Sequence, residues 1–259
     1  MRNDIFIIKV PFGGLGDHLF SSHLPRIAKT SGGFKKVFIS NLSTWRSLDY
    51  KKLVWELNPY VDGFCDDDAP VVPSLSFFNP AEMNILDYTM LSHGLDNGMR
   101  FNEPDLWYKP KLIPEISSAL VFDPNYISYV GEISRHELNK NVAYFGRVDY
   151  QIRARSKCYG ERNGVPILDT TDVFHYADII ASCKTFICLT SGGATLAAAL
   201  GVPAIAFYGY GQDYRFHHSR KLKYVCASNS LSILNYRRKI FIDSVKNKIG
   251  KWPLVSYLK

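Results

Sequence analysis

The segment from Pro11 to His18, "PFGGLGDH", is a candidate ligand-binding loop with a charged group, because three glycines precede an acidic residue. The segment follows an apolar run, "DIFIIKV", and leads into "LFSSHLPRIAK", which has the apolar spacing of a helix. A carboxylate at the mouth of a cleft can accept a proton from an attacking hydroxyl group. Asp17 is equally suited to cap the helix by accepting hydrogen bonds from its first turn. Position alone leaves both roles open.

A second loop has the composition of a phosphate-binding turn. In "CLTSGGATLAAALG" an apolar strand ends at Leu189, and a helix is predicted to begin at about Ala194. The unpaired amide groups at a helix N-terminus attract anions, and glycines let phosphates approach the backbone. The alternative is a turn whose small residues only permit close packing. The candidate diphosphate-binding residues are Thr190, Ser191, Gly192, Gly193, Ala194 and Thr195.

The elements that position these loops alternate between strands and helices. The first third begins with a strand at about 4 to 10, a helix at about 18 to 30 and a second strand, "KKVFIS". Residues from about 70 to 115 are rich in Pro, Asn and aromatics, which predicts irregular structure and a linker. Further strands are predicted at "SALVFDP", "NVAYFGR", "VPILD", "TFICLT" and "PAIAFYG". This alternation predicts an α/β fold with mainly parallel sheets and a ligand site beyond the carboxyl ends of the strands.

Composition excludes several classes of protein. The 259 residues are 46% hydrophobic and 21% charged, which is typical of a folded globular chain rather than a disordered one. Five cysteines without CxxC spacing indicate neither a disulfide framework nor a thiolate zinc site, and they fit a reducing cytoplasm. The uncharged run from Thr185 to Gln212 contains several Gly and a Pro, which favours strand, loop, helix and strand over a membrane span.

Three segments together resemble the lipopolysaccharide heptosyltransferases of glycosyltransferase family 9. These are "GLGDHLFSSHLPRIAK", "LVWELNPYVDGF" and "DTTDVFHYADIIASCKTFICLTSGGATLAAALGVPAIAFYG", in the family's order. The resemblance covers roughly the first 65 residues and residues 165 to 210. It implies a GT-B architecture, in which two facing Rossmann-like domains enclose a central cleft. We divide the chain into an acceptor-side domain (1–115), a nucleotide-sugar-binding domain (116–228) and a basic helical tail (229–259).

The resemblance also implies an inverting, metal-independent transfer of a sugar from a nucleotide-diphosphate-sugar to a hydroxyl group of a bacterial surface glycan. The nucleotide-sugar is a co-substrate, and no cofactor is expected. Asp17 takes the position of the family's general base, and residues 190–195 take that of the donor diphosphate loop. We expect a sugar or acceptor loop to be formed by Gly13, Gly14, Gly16 and His18, although an exposed helix position explains His18 equally well.

The sequence departs from the family pattern at several points. Thr190 and Thr195 stand where the family has Asp and His, and the family's lysine after the first C-domain strand has no counterpart. Arginine binds phosphate through two parallel hydrogen bonds and can supply the missing charge. Arg147, Arg153, Arg155 and Lys157 are available for this role, and Arg147 and Arg153 are our candidate phosphate or nucleotide contacts. Exposure to solvent is the ordinary explanation for any one of them.

Two alternative functions stay open. The run from Asp66 to Asp68 contains the Asp-x-Asp pattern with which metal-dependent GT-A transferases bind a divalent ion, although acidic loops after strands are common. The chain can also be a non-catalytic protein that binds a nucleotide-sugar or serves in assembly. The net charge of +7 favours anionic partners, but no nucleic-acid motif is present. We expect a cytoplasmic protein with a glycan or glycolipid acceptor and peripheral contact with the anionic face of the inner membrane.

Overall fold

Nine strands in the described part of the chain form two sheets, and every strand pair is parallel. The structure is a computed structural model, and it describes residues 4–69, 79–155 and 157–249. The first sheet has the order β1-β2-β3, with strands Ile5–Ile8, Lys36–Ser40 and Gly63–Cys65. Parallel neighbours need a crossover connection, which explains why apolar runs alternate with helical segments in this half.

The second sheet has six strands in the order β6-β5-β4-β7-β8-β9. This is the order of a doubly wound nucleotide-binding sheet, in which the first and fourth strands lie side by side and leave a crevice at their carboxyl ends. Here that pair is β4 and β7. The strands are β4 Leu120–Asp123, β5 Tyr150–Ile152, β6 Ile167–Leu168, β7 Thr185–Leu189, β8 Ala204–Tyr208 and β9 Leu222–Cys226.

The helices follow the predicted alternation with local differences. The helix predicted at about 18 to 30 is two helices, and the region predicted to be irregular contains α4; residues 70–78 of that region lie outside the described residues. Short π-helical (Lys51–Glu56) and 3-10 (Pro114–Ile116, Tyr214–Phe216) segments complete the set. The α-helices are α1 Leu15–Ser21, α2 Leu24–Thr30, α3 Leu48–Tyr50, α4 Ile85–Ser92, α5 Arg135–Phe145, α6 Val173–Ser182, α7 Gly192–Ala199 and α8 Ser230–Ile249.

The strand predicted over "NVAYFGR" is wrong, because this segment lies in and just after helix α5. The Ser134 side chain caps the helix by accepting a hydrogen bond from a first-turn amide at 3.4 Å. Leu138 and Val142 lie one helical turn apart and are both buried in a core cluster of the second sheet. Burial of that face favours a helix over a strand. The corresponding strand, β5, begins later, at Tyr150.

The uncharged run forms β7, α7 and β8, as predicted. In the described ranges, no helix is both long enough and apolar enough to cross a membrane. The main buried core cluster joins the two sheets, taking Ile8 and Ile39 from the first and Val121 and Phe186 from the second. The two halves of the chain are therefore held together by shared apolar burial rather than by the connecting segment alone.

A buried carboxylate stands where β4 ends, at the crevice of the second sheet. Asp123 is 4% exposed and accepts hydrogen bonds from the Tyr176 hydroxyl of α6 and from the backbone amide of Asn125, the latter at 2.9 Å. Gly193 of α7 leaves the space for this contact, because a Cβ atom at that position would overlap the Tyr176 hydroxyl. The glycine thus permits a bond between α6 and β4.

We therefore expect Gly193→Ala to displace Tyr176 and weaken its bond to Asp123, lowering the free energy of unfolding by about 1–3 kcal/mol. Gly192→Ala is the matched control, because a Cβ atom there would lie 3.5 Å from the nearest atoms, which is ordinary contact. Urea denaturation of both variants measures the difference. Equal stabilities would contradict this role of Gly193.

Candidate active site

The carboxyl ends of both sheets face one cleft with a volume of about 550 Å³. The first half contributes the start of α1 and the segment around Arg46, and the second half contributes the loops after β4, β5 and β7. This is the position at which ligands bind in doubly wound folds. The predicted residues that line the cleft are Gly14, Gly16, Asp17, Thr190, Ser191, Gly192, Gly193, Ala194 and Thr195.

Asp17 lies in the first turn of α1, three positions after the N-cap residue Gly14, and is therefore not the N-cap residue itself. Its Oδ2 atom accepts a hydrogen bond from the Gly14 amide at 3.0 Å. Within the described ranges no side chain or amide donates to the Oδ1 atom. The carboxylate thus caps the helix with one oxygen and keeps the other free to accept a proton.

The surroundings of Asp17 raise its pKa above the ordinary aspartate value. Partial burial is the main cause, while the Gly14 amide and the positive charge of Arg46 act in the opposite direction. A higher pKa makes a carboxylate a better proton acceptor once it is ionised. Gly14 also leaves space for the carboxylate, because a Cβ atom there would lie 2.8 Å from Oδ2.

The N-terminus of α7 presents donors to the same cleft. Ser191 is the N-cap residue but makes no side-chain cap, and its carbonyl oxygen accepts from the Thr195 amide at 3.3 Å. Among the described residues, no acceptor is bonded to the amides of Gly192, Gly193 or Ala194. These amides and the positive end of the helix dipole suit an anion.

The two glycine-containing loops contact one another. A Cβ atom on Gly16 would lie 3.5 Å from the Thr195 Oγ1 atom and 3.6 Å from the Gly192 Cα atom. A Cβ atom on Gly192 would in turn lie 3.5 Å from the Gly16 amide nitrogen. The N-termini of α1 and α7 therefore meet at the cleft, with space for nothing larger than a methyl group between them.

Of the four cations considered from the sequence, Arg155 and Lys157 line the cleft. Arg153 does not line it and is paired with Asp169, with 2.8 Å between Nη2 and Oδ2. Arg147 precedes β5 and therefore lies at the amino end of that strand, in a separate surface pocket. The structure thus places our two selected candidates, Arg147 and Arg153, outside the cleft.

His18 and Gly13 support the first loop without lining the cleft. The His18 ring is fully buried: Nε2 donates to the Thr44 carbonyl oxygen at 3.0 Å and Nδ1 accepts from Trp55 Nε1 at 3.1 Å. Burial lowers the His18 pKa to about 4, so the ring is neutral at neutral pH. At Gly13, a Cβ atom would lie 3.1 Å from the Arg46 backbone nitrogen. Both residues hold the segment around Arg46.

Several cleft residues were missed by sequence reasoning. Asp123 and Tyr176 line the cleft, as do Arg46 and Asp49. The sequence signal for Asp123 was a carboxylate directly after an apolar run, "LVFD", but its role depends on contacts with α6. His218 also lines the cleft; burial lowers its pKa to about 4, and its Nδ1 atom contacts the Phe216 carbonyl oxygen at 3.0 Å.

The Asp-x-Asp pattern lies after β3 and outside the cleft. Asp68 is paired with Lys9 at 2.8 Å, and Asp66 accepts a hydrogen bond from the Asn41 side chain at 2.8 Å. Across the described ranges, no group of three or more His, Cys, Asp and Glu side chains is arranged to hold a metal ion. Asp66 and Asp68 are thus engaged elsewhere on the first sheet.

Comparisons with known proteins are consistent with this geometry. Glycosyltransferase family 9 (heptosyltransferase) matches residues 137–240, and no curated protein sequence matches the chain. Escherichia coli ADP-heptose lps heptosyltransferase II has a similar structure, with 15% identity over 85% of this chain and 89% of that one and a TM-score of 0.53.

Two further solved structures are similar. The family 9 glycosyltransferase of Veillonella parvula DSM 2008 is 10% identical over 98% of this chain and 91% of its own, with a TM-score of 0.56. E. coli heptosyltransferase WaaC with ADP is 10% identical over 91% of this chain and 99% of its own, with a TM-score of 0.50. At these low identities, the structural similarity shows a shared fold and no more. The shared fold corrects the GT-A alternative. The chain therefore has the GT-B fold of these structures, and its residues 137–240 match the glycosyltransferase family 9 (heptosyltransferase) model.

Proposed function

We propose that the protein transfers a heptose or related sugar from a nucleotide-diphosphate-sugar to a hydroxyl group of a bacterial surface glycan, with inversion and without a metal ion. The acceptor would be lipopolysaccharide, lipooligosaccharide or capsule. One observation carries the proposal: Asp17 shares a cleft with the N-terminal amides of α7, and neither its Oδ1 atom nor these amides have a partner among the described residues. A proton acceptor and an anion site are the two groups that this reaction needs.

In the proposed reaction, the acceptor oxygen attacks the anomeric carbon while its proton passes to Asp17 Oδ1. The bond between the anomeric carbon and the diphosphate oxygen breaks, and its electron pair leaves with the diphosphate. Attack from the side opposite to the leaving group gives inversion. The amides of Gly192, Gly193 and Ala194, with the hydroxyl groups of Thr190 and Ser191, would stabilise the negative charge that develops on the diphosphate.

The nucleotide of the donor is proposed from the solved relatives. One relative is named as an ADP-heptose heptosyltransferase, and another was solved with ADP. ADP-heptose is therefore the first donor to test. Thr190, which stands where the resemblance implies Asp, can take part in donor binding. Its hydroxyl oxygen accepts a hydrogen bond from Gln212, so the hydroxyl proton is left to donate to the donor.

A non-catalytic role in binding a nucleotide-sugar is the second candidate. The observation in its favour is that Thr190 and Thr195 occupy positions where the resemblance implies Asp and His. Binding of ADP-heptose without transfer or hydrolysis, across a panel of lipopolysaccharide, lipooligosaccharide and capsule acceptors, would support it. Measurable transfer to any acceptor excludes it.

We expect Asp17→Asn to lower turnover by a factor of about 10² to 10⁴, because an amide cannot accept the acceptor proton. The fold should be retained, since the amide oxygen can still accept from Gly14, and donor binding by calorimetry should persist. Asp49→Asn is the control, a second carboxylate that lines the cleft on the same side. Near-normal turnover of Asp17→Asn, or an equal loss in Asp49→Asn, would reject Asp17 as the base.

The pH dependence of turnover should report the Asp17 pKa. Activity falls as the pH drops through this pKa, because the protonated carboxyl group cannot act as a base, and partial burial places that limb above the ordinary aspartate range. Removing the charge of Arg46 raises the Asp17 pKa further, so Arg46→Gln should move the acidic limb of kcat/KM to higher pH. Arg100→Gln, at an exposed ion pair with Asp96, should leave the limb in place. A limb unmoved by Arg46→Gln would contradict the assignment.

We also propose a cytoplasmic location with peripheral contact at the anionic face of the inner membrane. Helix α8 supports this, because Leu231, Leu234 and Ile240 are exposed together with Arg237 and Arg238. Exposed apolar side chains and cations on one helix are typical of binding to anionic lipid surfaces. Residues beyond 249 of the predicted tail lie outside the described residues.

Co-sedimentation with vesicles tests this contact. Vesicles containing phosphatidylglycerol should retain the protein, and pure phosphatidylcholine vesicles should retain much less. The double variant Leu231→Ser/Leu234→Ser should lose most of the binding, while Leu112→Ser, at an equally exposed leucine elsewhere, should not. Equal binding by both variants would show that α8 is not the contact surface.

A further inference from the structure

We propose that Arg155 is the cation that binds the donor diphosphate, and that Asn125 is the residue that positions it. This proposal rests on the proposed function, since it assumes a nucleotide-diphosphate donor in the cleft. Both residues line the cleft, Asn125 in the loop after β4 and Arg155 in the loop after β5.

Arg155 is available for a ligand, whereas Arg153 in the same loop is not. Both Arg153 Nε and Nη2 bond to the carboxylate of Asp169, outside the cleft. Within the described ranges, the Arg155 guanidinium donates a hydrogen bond to the Thr170 hydroxyl at 3.3 Å and forms no ion pair. Its charge acts on the buried Asp123 through space, where it opposes the burial that raises the pKa of that carboxyl group. An unpaired guanidinium in a cleft retains its donors for a phosphate.

The loop that carries Arg155 is fixed by one side chain. The Asn125 Oδ1 atom accepts a hydrogen bond from the Arg155 amide at 2.6 Å, and Nδ2 donates to the Arg153 carbonyl oxygen at 3.0 Å. The Tyr126 amide donates to the Lys157 carbonyl oxygen at 3.1 Å, which extends the pairing between the two loops. Asn125 therefore joins the loop after β4 to the loop after β5.

Asn125 is itself held by the sheet. Asp123 Oδ1 accepts from the Asn125 amide at 2.9 Å and from its Nδ2 atom at 2.7 Å, while the other carboxylate oxygen accepts from Tyr176. The Asn125 side chain thus uses both its oxygen and its nitrogen in bonds within the fold. A chain of hydrogen bonds runs from the buried end of β4 to the backbone of Arg155. Support of this kind keeps a binding side chain in place on a loop.

The charge of the cleft explains why a held cation is needed. Four carboxylates line it, from Asp17, Asp49, Asp123 and Asp172. A diphosphate entering this surface is repelled unless positive charge is present, and the amides of α7 supply only a partial charge. Arg46 and Lys157 also line the cleft, but Arg46 lies beside Asp17 and the Lys157 ammonium donates to the Ile127 carbonyl oxygen at 3.3 Å. Arg155 carries a full charge and a planar set of donors suited to two phosphate oxygens. The charge that develops on the departing diphosphate would be stabilised from two sides of the cleft.

Calorimetric binding of ADP, inorganic pyrophosphate and adenosine to the full chain tests the assignment. We expect Arg155→Gln to weaken ADP and pyrophosphate binding by about tenfold or more, as loss of a charged hydrogen bond does, and to leave adenosine unaffected. Arg153→Gln is the matched control in the same loop and should change none of the three. Equal affinities of Arg155→Gln and the unmodified protein, or equal losses in both variants, would overturn the role of Arg155.

A double-mutant cycle tests the role of Asn125. Asn125→Ala should weaken ADP binding in the unmodified protein but cause little further loss when Arg155 is already Gln, because it acts through that side chain. A general structural effect would instead weaken binding equally in both backgrounds, which would overturn the positioning role. If the unmodified protein binds neither ADP nor pyrophosphate, the proposed function itself fails, which differs from a failure confined to Arg155 or Asn125.

Discussion

The contact between the N-termini of α1 and α7 determines how the candidate base and the candidate anion site lie relative to each other. These helices begin in loops that follow strands of different sheets, and they approach each other at Gly16 and Gly192. Each glycine leaves only the space of a methyl group, so a larger side chain at either position would separate the two halves. The approach brings the carboxylate of Asp17 and the unpaired amides of α7 into one cleft. Neither loop has both groups by itself.

Two helix N-termini at one cleft have opposite effects on anion binding and on the basicity of Asp17. Helix dipoles and free amides favour negative charge, so they suit a diphosphate but also stabilise the ionised carboxylate and weaken it as a base. Partial burial acts in the opposite direction and raises the Asp17 pKa. The Gly14 amide occupies only Oδ2. Capping and proton acceptance are therefore compatible in one side chain, because each uses a different oxygen.

The sequence predicted most of the parallel strands and both glycine-containing loops, because these depend on local signals. Alternating apolar runs and glycines at strand ends are properties of a few neighbouring residues. Arg147 lies outside the cleft for a physical reason. With a strand assumed over residues 141–147, Arg147 would lie close to its carboxyl end, but the segment is mostly helix α5 and Arg147 precedes β5. In a parallel sheet, this shift moves a side chain from the ligand end of a strand to the opposite end.

The roles of Gly13, Gly16 and Gly193 could not be predicted from the sequence, because each depends on a residue that is distant along the chain. Gly13 accommodates the backbone of Arg46, Gly16 accommodates α7, and Gly193 accommodates the hydroxyl of Tyr176. Gly14 differs from these glycines because it accommodates the candidate base itself. A Cβ atom at Gly14 would collide with Asp17 Oδ2. A glycine-rich loop at a strand end thus indicates close packing first. The donors that suit an anion here are the amides that the N-terminus of α7 leaves without partners among the described residues.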